Sequence, residues 1–153
     1  MKLRVLWVGK TQEDWVRSGI EEYAVRIRRY LRFGISEIRE EKGASPEQMR
    51  DREGDRLQKA LSKYSRLVLL DELGTQLTSV EFSAFLGRER DSGVQELAFA
   101  IGGAYGVSEE VRRRSSRTIA LSKMTFTHQM IRPFLLEQIY RGLTILNNES
   151  YHH

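Results

Sequence analysis

Glycines 102, 103 and 106 give a local indication of a ligand site. They lie in Gly102-Gly103-Ala104-Tyr105-Gly106, which follows an apolar run and precedes a helix-capping serine, Ser108. Glycine lets the backbone turn sharply and lets a ligand approach it closely. The spacing differs from the dinucleotide-binding pattern G-x-G-x-x-G, no acidic residue lies about 20 positions further on, and no P-loop sequence occurs. The segment therefore indicates either the edge of a nucleoside or cofactor site or a structural turn.

The segment Leu121–His128 is a second candidate for ligand contact. It mixes small polar residues with Met124 and Phe126 after an apolar run. Its backbone groups can bind a heterocycle between two apolar walls. The alternative is a simple connection whose Met124 and Phe126 fill the core. His128 is the one histidine outside the last two positions, and it is either a proton carrier near neutral pH or a structural residue.

The carboxyl-terminal part of the chain is basic. Residues 112–153 contain seven arginines and lysines against two acidic residues. This excess favours a polyanionic partner, nucleic acid rather than membrane, although Arg112–Arg114 can equally form a solvated helix face. Arg132 and Arg141 can bind phosphate or pair with Glu137. The closing Tyr151-His152-His153 is either a terminal arm that carries aromatic and polar rings to a site or the remnant of an affinity tag.

Composition excludes several classes of protein. The 153 residues contain no cysteine and three histidines, so a disulfide framework, a zinc ribbon and a thiol nucleophile are excluded, and we expect no metal site. No apolar run approaches the roughly 20 residues of a membrane span, and the amino end has no signal-peptide core. We therefore expect one soluble, cytoplasmic domain with no membrane partner.

The apolar runs alternate with helical patterns, which predicts an α/β fold with a mostly parallel sheet flanked by helices on both faces. The predicted strands are Leu3–Val8, Phe33–Glu40, Arg66–Leu70, Glu96–Ile101 and Arg117–Leu121. The predicted helices cover about 16–31, 46–63, 79–90, 109–114 and 129–146. Ligands bind beyond the carboxyl ends of such strands. We therefore expect a site at the loops Asp71–Gly74, Gly102–Gly106 and Ser122–Thr127.

The last predicted helix is apolar on nearly every side. Its apolar residues are Ile131, Phe134, Leu135, Leu136, Ile139, Tyr140, Leu143, Ile145 and Leu146. A helix that is apolar all round is buried all round. A second subunit could cover the side that does not face the sheet, which predicts a symmetric dimer. The alternative is a surface helix with a broad apolar stripe.

Three long segments together resemble a known family. They are IGGAYGVSEEVRRR (101–114), LSKMTFTHQMIRPFLLEQIYR (121–141) and the closing YHH (151–153), and the opening MKLRVLWVGKTQEDWV agrees with them. The chain resembles the RlmH family, the 23S ribosomal RNA pseudouridine N3-methyltransferases of the SPOUT class. The resemblance spans essentially the whole chain, so it implies one SPOUT methyltransferase domain over residues 1–153. It also makes YHH a native ending rather than a tag.

The resemblance implies S-adenosylmethionine as the methyl donor, held in a carboxyl-terminal trefoil knot. Carried over by position, the cofactor-binding residues would be Leu70, Gly102, Gly103, Leu121, Ser122, Lys123, Met124, Thr125 and Phe126. The family acts as a homodimer through its last helix, and both subunits compose the substrate site. One departure is visible, since Thr127 stands where many relatives place proline.

The implied substrate is a pseudouridine of 23S ribosomal RNA in the assembled ribosome, with no DNA partner. Arg112–Arg114, Arg132 and Arg141 would contact phosphates. Because the imide N3 must lose its proton before it attacks a methyl group, His128 or the tail residue His152 would take that proton. Arg132 would stabilise the negative charge on the ring and Tyr151 would stack on an exposed base.

Two other functions compete with methyl transfer. A non-catalytic protein that binds the ribosome could retain the same fold. A dinucleotide-dependent oxidoreductase is disfavoured because the ribose-binding acid is missing. Cofactor binding distinguishes these alternatives.

Overall fold

Strands and helices alternate along the whole chain in the computed structural model, which describes residues 1–153. The strands are β1 (Lys2–Val8), β2 (Arg32–Ile38), β3 (Ser65–Gln76), β4 (Glu96–Ile101) and β5 (Arg117–Ala120). The helices are α1 (Asp14–Ile27), α2 (Pro46–Ala60), α3 (Ser79–Asp91), α4 (Glu109–Arg114) and α5 (Ile131–Leu146). All strand pairs are parallel, in the order β2-β1-β4-β3-β5. The predicted α/β class with helices on both faces of a parallel sheet is confirmed.

The sheet is covered on both faces, which explains its continuous apolar runs. One apolar cluster joins the sheet to α1, α3 and α5, and α5 packs between α1 and α3. A smaller cluster on the other face joins the sheet to α2 and α4. Every residue of the central strand β4 is buried.

Side-chain capping residues, which can be recognised in the sequence, mark where three of the five helices begin. Ser45 accepts a hydrogen bond from the Gln48 backbone at 3.2 Å, and Thr78 accepts one from the Glu81 backbone at 3.1 Å. Both are complete capping boxes. Ser108 caps α4 with a single hydrogen bond, which its side chain accepts from the Val111 backbone at 3.4 Å. The bounds of β4 and α4 agree with the prediction residue for residue.

Several predicted ends are wrong by a few residues. Helix α1 ends at Ile27 rather than near residue 31, because the chain turns there to begin β2 at Arg32. Helix α2 ends at Ala60, since Leu61 adopts an extended conformation. Strand β2 ends at Ile38, and α5 begins at Ile131 rather than near residue 129.

Strand β3 differs most from the prediction. The segment Asp71–Gly74, predicted as a loop, lies inside β3. Beyond Leu70 the strand has left β4 and continues only along β5, with a shift of register between Leu70 and Thr75. A Cβ on Gly74 would lie 2.7 Å from the backbone carbon of Ile119, so glycine is required for this close approach. The extension is largely exposed, so its polar residues resembled a turn.

None of the five helices has the length and apolar content that crossing a lipid bilayer requires. The trefoil knot implied by the resemblance stays a prediction.

Candidate functional site

A cleft of about 510 Å³ opens at the carboxyl ends of β4 and β5, beside Leu70–Glu72 in the middle of β3. The segments after β4 and β5 line it, as expected, and the third side comes from within β3. Eight of the residues predicted to hold a cofactor line this cleft: Leu70, Gly102, Gly103, Leu121, Ser122, Met124, Thr125 and Phe126. Lys123 is exposed and does not line the cleft.

The glycine segment forms a tight turn at the wall of the cleft. The Gly106 backbone N–H donates a hydrogen bond to the Gly103 carbonyl at 3.0 Å, and Gly106 has a φ of 83°. A Cβ on Gly102 would lie 2.8 Å from the backbone carbonyl of Gly106. The segment is thus a structural turn and a cleft wall at once, because both properties need backbone without side chains.

The segment after β5 forms the opposite wall. Ser122 accepts a hydrogen bond from the Met124 backbone at 3.0 Å, and the Thr125 hydroxyl donates one to Glu72. Met124 is 77% exposed and Phe126 is 37% exposed, so neither fills the core. Phe126 instead contacts Phe134 of α5 edge to face, with ring centroids 5.4 Å apart.

His128 lies in the cleft at the turn that precedes α5, and its side chain is half-buried. Thr127 organises this turn, because its hydroxyl accepts a hydrogen bond from the Met130 backbone at 3.0 Å. Proline at position 127 could offer no such hydroxyl. Burial and then the charge of Arg132 hold the pKa of His128 below its usual value. The imidazole is therefore neutral at pH 7 and can accept a proton.

Arg132 lies inside the protein rather than at its surface. Its relative exposure is 0%, and its guanidinium donates hydrogen bonds to the carbonyls of His128 and Val8 and to the hydroxyl of Thr11. Burial lowers its pKa to about 10, which leaves it charged at pH 7. The prediction that Arg132 contacts an RNA phosphate therefore does not match the structure, because no N–H group of this side chain faces solvent.

The tail residues Tyr151 and His152 do not meet the cleft within one chain. Tyr151 donates a hydrogen bond to Glu137 at 3.0 Å and packs on Tyr140, with ring centroids 4.7 Å apart. Burial and hydrogen bonding raise its pKa. His152 Nδ1 lies 3.3 Å from Arg141.

The tail contacts α5 about 9–15 Å from its start, because Glu137 and Arg141 are six and ten residues beyond Ile131 at about 1.5 Å per residue. Arg141 itself pairs with Glu137 at 2.6 Å, as the second interpretation of this residue expected. Arg112 likewise pairs with Asp71 at 2.6 Å.

Sequence reasoning missed Glu53, a buried carboxylate of α2 behind the glycine turn. Its Oε2 accepts a hydrogen bond from the Glu41 backbone at 3.0 Å, and its Oε1 would lie 3.2 Å from a Cβ on Gly103. Burial, and after it the nearby charge of Glu40, raise the pKa of Glu53. Glu53 lies four residues before the buried Leu57, so both are on the inner face of α2. This spacing is the sequence signal that could have identified Glu53.

Comparison with known proteins gives a family match over nearly the whole chain. The model of the family described as "Predicted SPOUT methyltransferase" matches residues 1–152. A protein of Geobacter sulfurreducens is 66% identical over 153 residues, and one of Geotalea uraniireducens is 65% identical over the same length. Both alignments cover 100% of this chain and of the relative, and both relatives are named "Ribosomal RNA large subunit methyltransferase H".

A solved structure shares the fold. It is the SpoU methyltransferase AviRb from Streptomyces viridochromogenes in complex with the cofactor AdoMet, with a TM-score of 0.51 and 15% sequence identity. The match covers 97% of this chain and 59% of that chain. At this identity the similarity concerns the fold alone.

Proposed function

Since the chain belongs to the SPOUT methyltransferase family, we propose that it transfers the methyl group of S-adenosylmethionine to N3 of a pseudouridine in 23S ribosomal RNA of the assembled ribosome. The observation that carries this proposal is the cleft formed by the ends of β4 and β5 and by β3. It joins eight residues that the family resemblance had assigned to the cofactor. The names of the full-length relatives support ribosomal RNA as the substrate.

The cleft suits such a cofactor. Its volume of about 510 Å³ lies within the usual range for small-molecule sites, roughly 300–1,000 Å³. Leu70, Ile101 and Met124 provide apolar walls, and the bare backbone of Gly102 allows close approach. When bound, S-adenosylmethionine supplies a methyl group that its positive sulfur has already activated. The protein must therefore mainly align the acceptor and remove its proton.

We assign the proton transfer to His128. It lies in the cleft, it is neutral at pH 7, and imidazole can take the imide proton as the base attacks. Arg132 holds the His128 carbonyl from within the core, so its role in this proposal is to position the histidine. Its buried positive charge also favours a negative charge nearby, although no N–H group of Arg132 reaches the cleft.

We also propose a homodimer through α5, with Tyr151 and His152 of one subunit completing the site of the other. Within one chain Tyr151 and His152 contact Glu137 and Arg141 of α5 and do not line the cleft, so one subunit does not bring these residues together. Met130 and Phe134 are 36% and 41% exposed beside the cleft. A second subunit that packed against this apolar surface would remove it from water. A monomeric mass at micromolar concentration would contradict this arrangement.

Residues 1–153 act as one domain in this proposal, because α5 from the carboxyl-terminal part packs against α1 and α3. We also propose a cytoplasmic location, which the proposed ribosomal substrate supports.

The test is transfer of labelled methyl from S-adenosylmethionine to ribosomes that lack the modification, with protein-free 23S RNA beside them. Mass spectrometry of the nucleosides identifies the product. We expect methylated pseudouridine from the ribosomes and little from the free RNA. Methylation of another nucleotide would contradict the proposed substrate. Absence of cofactor binding would favour the non-catalytic ribosome-binding protein, and thermal stabilisation by NAD would favour the oxidoreductase.

A further inference from the structure

Most of the arginines that were predicted to contact phosphates are buried or already bonded to other groups of the protein. Arg132 is buried, Arg112 pairs with Asp71, and Arg141 pairs with Glu137. Arg114 donates a hydrogen bond to the Ser62 carbonyl at 3.0 Å, and Arg113 alone is exposed without an ion pair. Binding of a phosphate by Arg112 or Arg141 must compete with an existing ion pair, and Arg132 is not accessible to a phosphate. Of these arginines, Arg113 alone is therefore free to meet an RNA backbone, and further free charges must lie elsewhere on the surface.

A different group of arginines is free. Between Tyr23 and Ser36 the chain has four arginines and no acidic residue. Arg26 pairs with Glu22 at 2.5 Å. The other three, Arg28, Arg29 and Arg32, lie in the connection from α1 to β2 and at the first residue of β2, and we call them the arginine turn. All three are exposed, and none makes an ion pair or a side-chain hydrogen bond.

The arginine turn is fixed to the carboxyl-terminal tail. Tyr30, which lies within the turn, donates a hydrogen bond from its hydroxyl to Glu149 Oε2 at 2.6 Å. The Tyr30 ring also packs against Tyr140 at 6.2 Å between centroids, and Tyr140 packs against Tyr151 at 4.7 Å. The free arginines and the tail residues proposed to receive the substrate base therefore belong to one corner of the molecule.

We infer that the arginine turn binds the phosphate backbone of the substrate RNA next to the nucleotide that the tail receives. This inference rests on the proposed function. Guanidinium groups bind phosphate through two parallel hydrogen bonds, and these three have no ion pair to give up. Arg28 is further oriented by the Phe33 ring, 5.9 Å from its guanidinium carbon. RNA is favoured over other polyanions because the turn is continuous with the tail.

The test compares two double variants that lose the same charge. In R29Q/R32Q both substituted arginines are exposed and free, whereas in the control R66Q/R90Q they pair with Glu89 and Asp91 at 2.7 and 2.9 Å. The affinity of each protein for ribosomes lacking the modification is measured between 50 and 200 mM salt. Log K falls as log salt rises, and each lost phosphate contact makes this negative slope shallower by about 0.7–0.9. We therefore expect the slope for R29Q/R32Q to be shallower by about 1.4–1.8, while the control leaves it unchanged.

Kinetic measurements distinguish a failure of this inference from a failure of the proposed function, and a vesicle-binding measurement tests the alternative of a membrane surface. We expect R29Q/R32Q to raise KM for ribosomes while kcat and S-adenosylmethionine affinity stay those of the wild type. An unchanged salt slope would overturn the role of the turn, even where the wild type methylates ribosomes. If the wild type transfers no methyl group, the proposed function fails. A shallower salt slope for R29Q/R32Q than for the wild type would still support RNA binding by the turn. If R29Q/R32Q loses binding to vesicles of anionic lipid while its binding to ribosomes is unchanged, the arginine turn binds a membrane surface and the inference is overturned.

Discussion

The guanidinium of Arg132 lies over the indole ring of Trp7, 5.0 Å from the ring centroid, and both side chains are buried. The same guanidinium bonds to the carbonyl of Val8 at 2.8 Å and to that of His128 at 2.9 Å. One side chain thus joins the end of β1 to the turn that carries His128. The geometry of the proposed proton acceptor depends on this buried cation.

Replacing Arg132 with methionine should destabilise the protein. Three acceptors would lose a charged donor, and each unpaired buried polar group costs about 1–3 kcal/mol. We expect a loss of about 3 kcal/mol in the free energy of unfolding, measured with urea, where partial relaxation offsets part of the sum. In the control Arg90→Met, which removes an exposed ion pair, the loss should stay below about 1 kcal/mol. Equal stabilities of the two variants would contradict the role of Arg132.

Gly102→Ala should weaken cofactor binding. The added Cβ would lie 2.8 Å from the Gly106 carbonyl, so the turn would have to open. We expect the affinity for S-adenosylmethionine, measured by calorimetry, to fall tenfold or more, which corresponds to about 1.4 kcal/mol. Gly34→Ala is the matched control, because a Cβ there meets nothing within 4 Å. The expectation fails if both variants bind the cofactor equally well.

His128→Ala should slow methyl transfer and leave cofactor binding largely intact. General-base catalysis by a positioned side chain typically contributes about 10²–10⁴-fold to a rate. Single-turnover methylation of ribosomes measures this effect, and raising the pH should partly restore the rate of the variant as hydroxide replaces the imidazole. Unchanged turnover in His128→Ala would remove this residue from the mechanism.

Glu53 should make stability depend on pH in an unusual direction. Because burial raises its pKa in the folded state, the folded protein binds more protons than the unfolded chain above the ordinary glutamate range. The contribution of Glu53 to stability therefore falls as the pH rises from about 4.3 to the raised pKa, and it is constant above that value. Urea unfolding across this interval measures the effect.

Glu53→Gln keeps an acceptor for the Glu41 backbone but removes the titration. We expect a weaker decline of stability with pH in this variant and, at pH 7, a stability at least equal to that of the wild type. Glu53→Ala should be less stable than either protein, because it leaves the Glu41 N–H group without its partner. Identical pH profiles of wild type and Glu53→Gln would contradict the burial argument.

Phe134→Asp should weaken the proposed dimer. Phe134 is 41% exposed on α5, and a carboxylate there would be desolvated against a second subunit. We expect sedimentation at micromolar concentration to shift toward the monomer. Val25→Asp, at an exposed position of α1, should keep the mass of the wild type. A dimer that persists in Phe134→Asp would place the interface elsewhere.

The sequence determined the elements and the edge of the sheet that carries the cleft. Capping by Ser45, Thr78 and Ser108 depends on residues three positions away, and the run Glu96–Ile101 is buried throughout. Such signals are local, so they can be recognised without the fold. Parallel strands also end at one edge, which is why the segments after β4 and β5 were predicted to share a site.

Only the tertiary structure decided which charged side chains are buried and which remain free. Arg132 meets Val8 and Thr11 across more than 120 positions, and Glu53 meets Gly103 across 50. The extension of β3 along β5 depends on Gly74 facing Ile119. The arginine turn meets the tail through the hydrogen bond between Tyr30 and Glu149, which are 119 positions apart. Contacts between residues so distant in sequence depend on how the helices pack against the sheet, and no local sequence pattern predicts them.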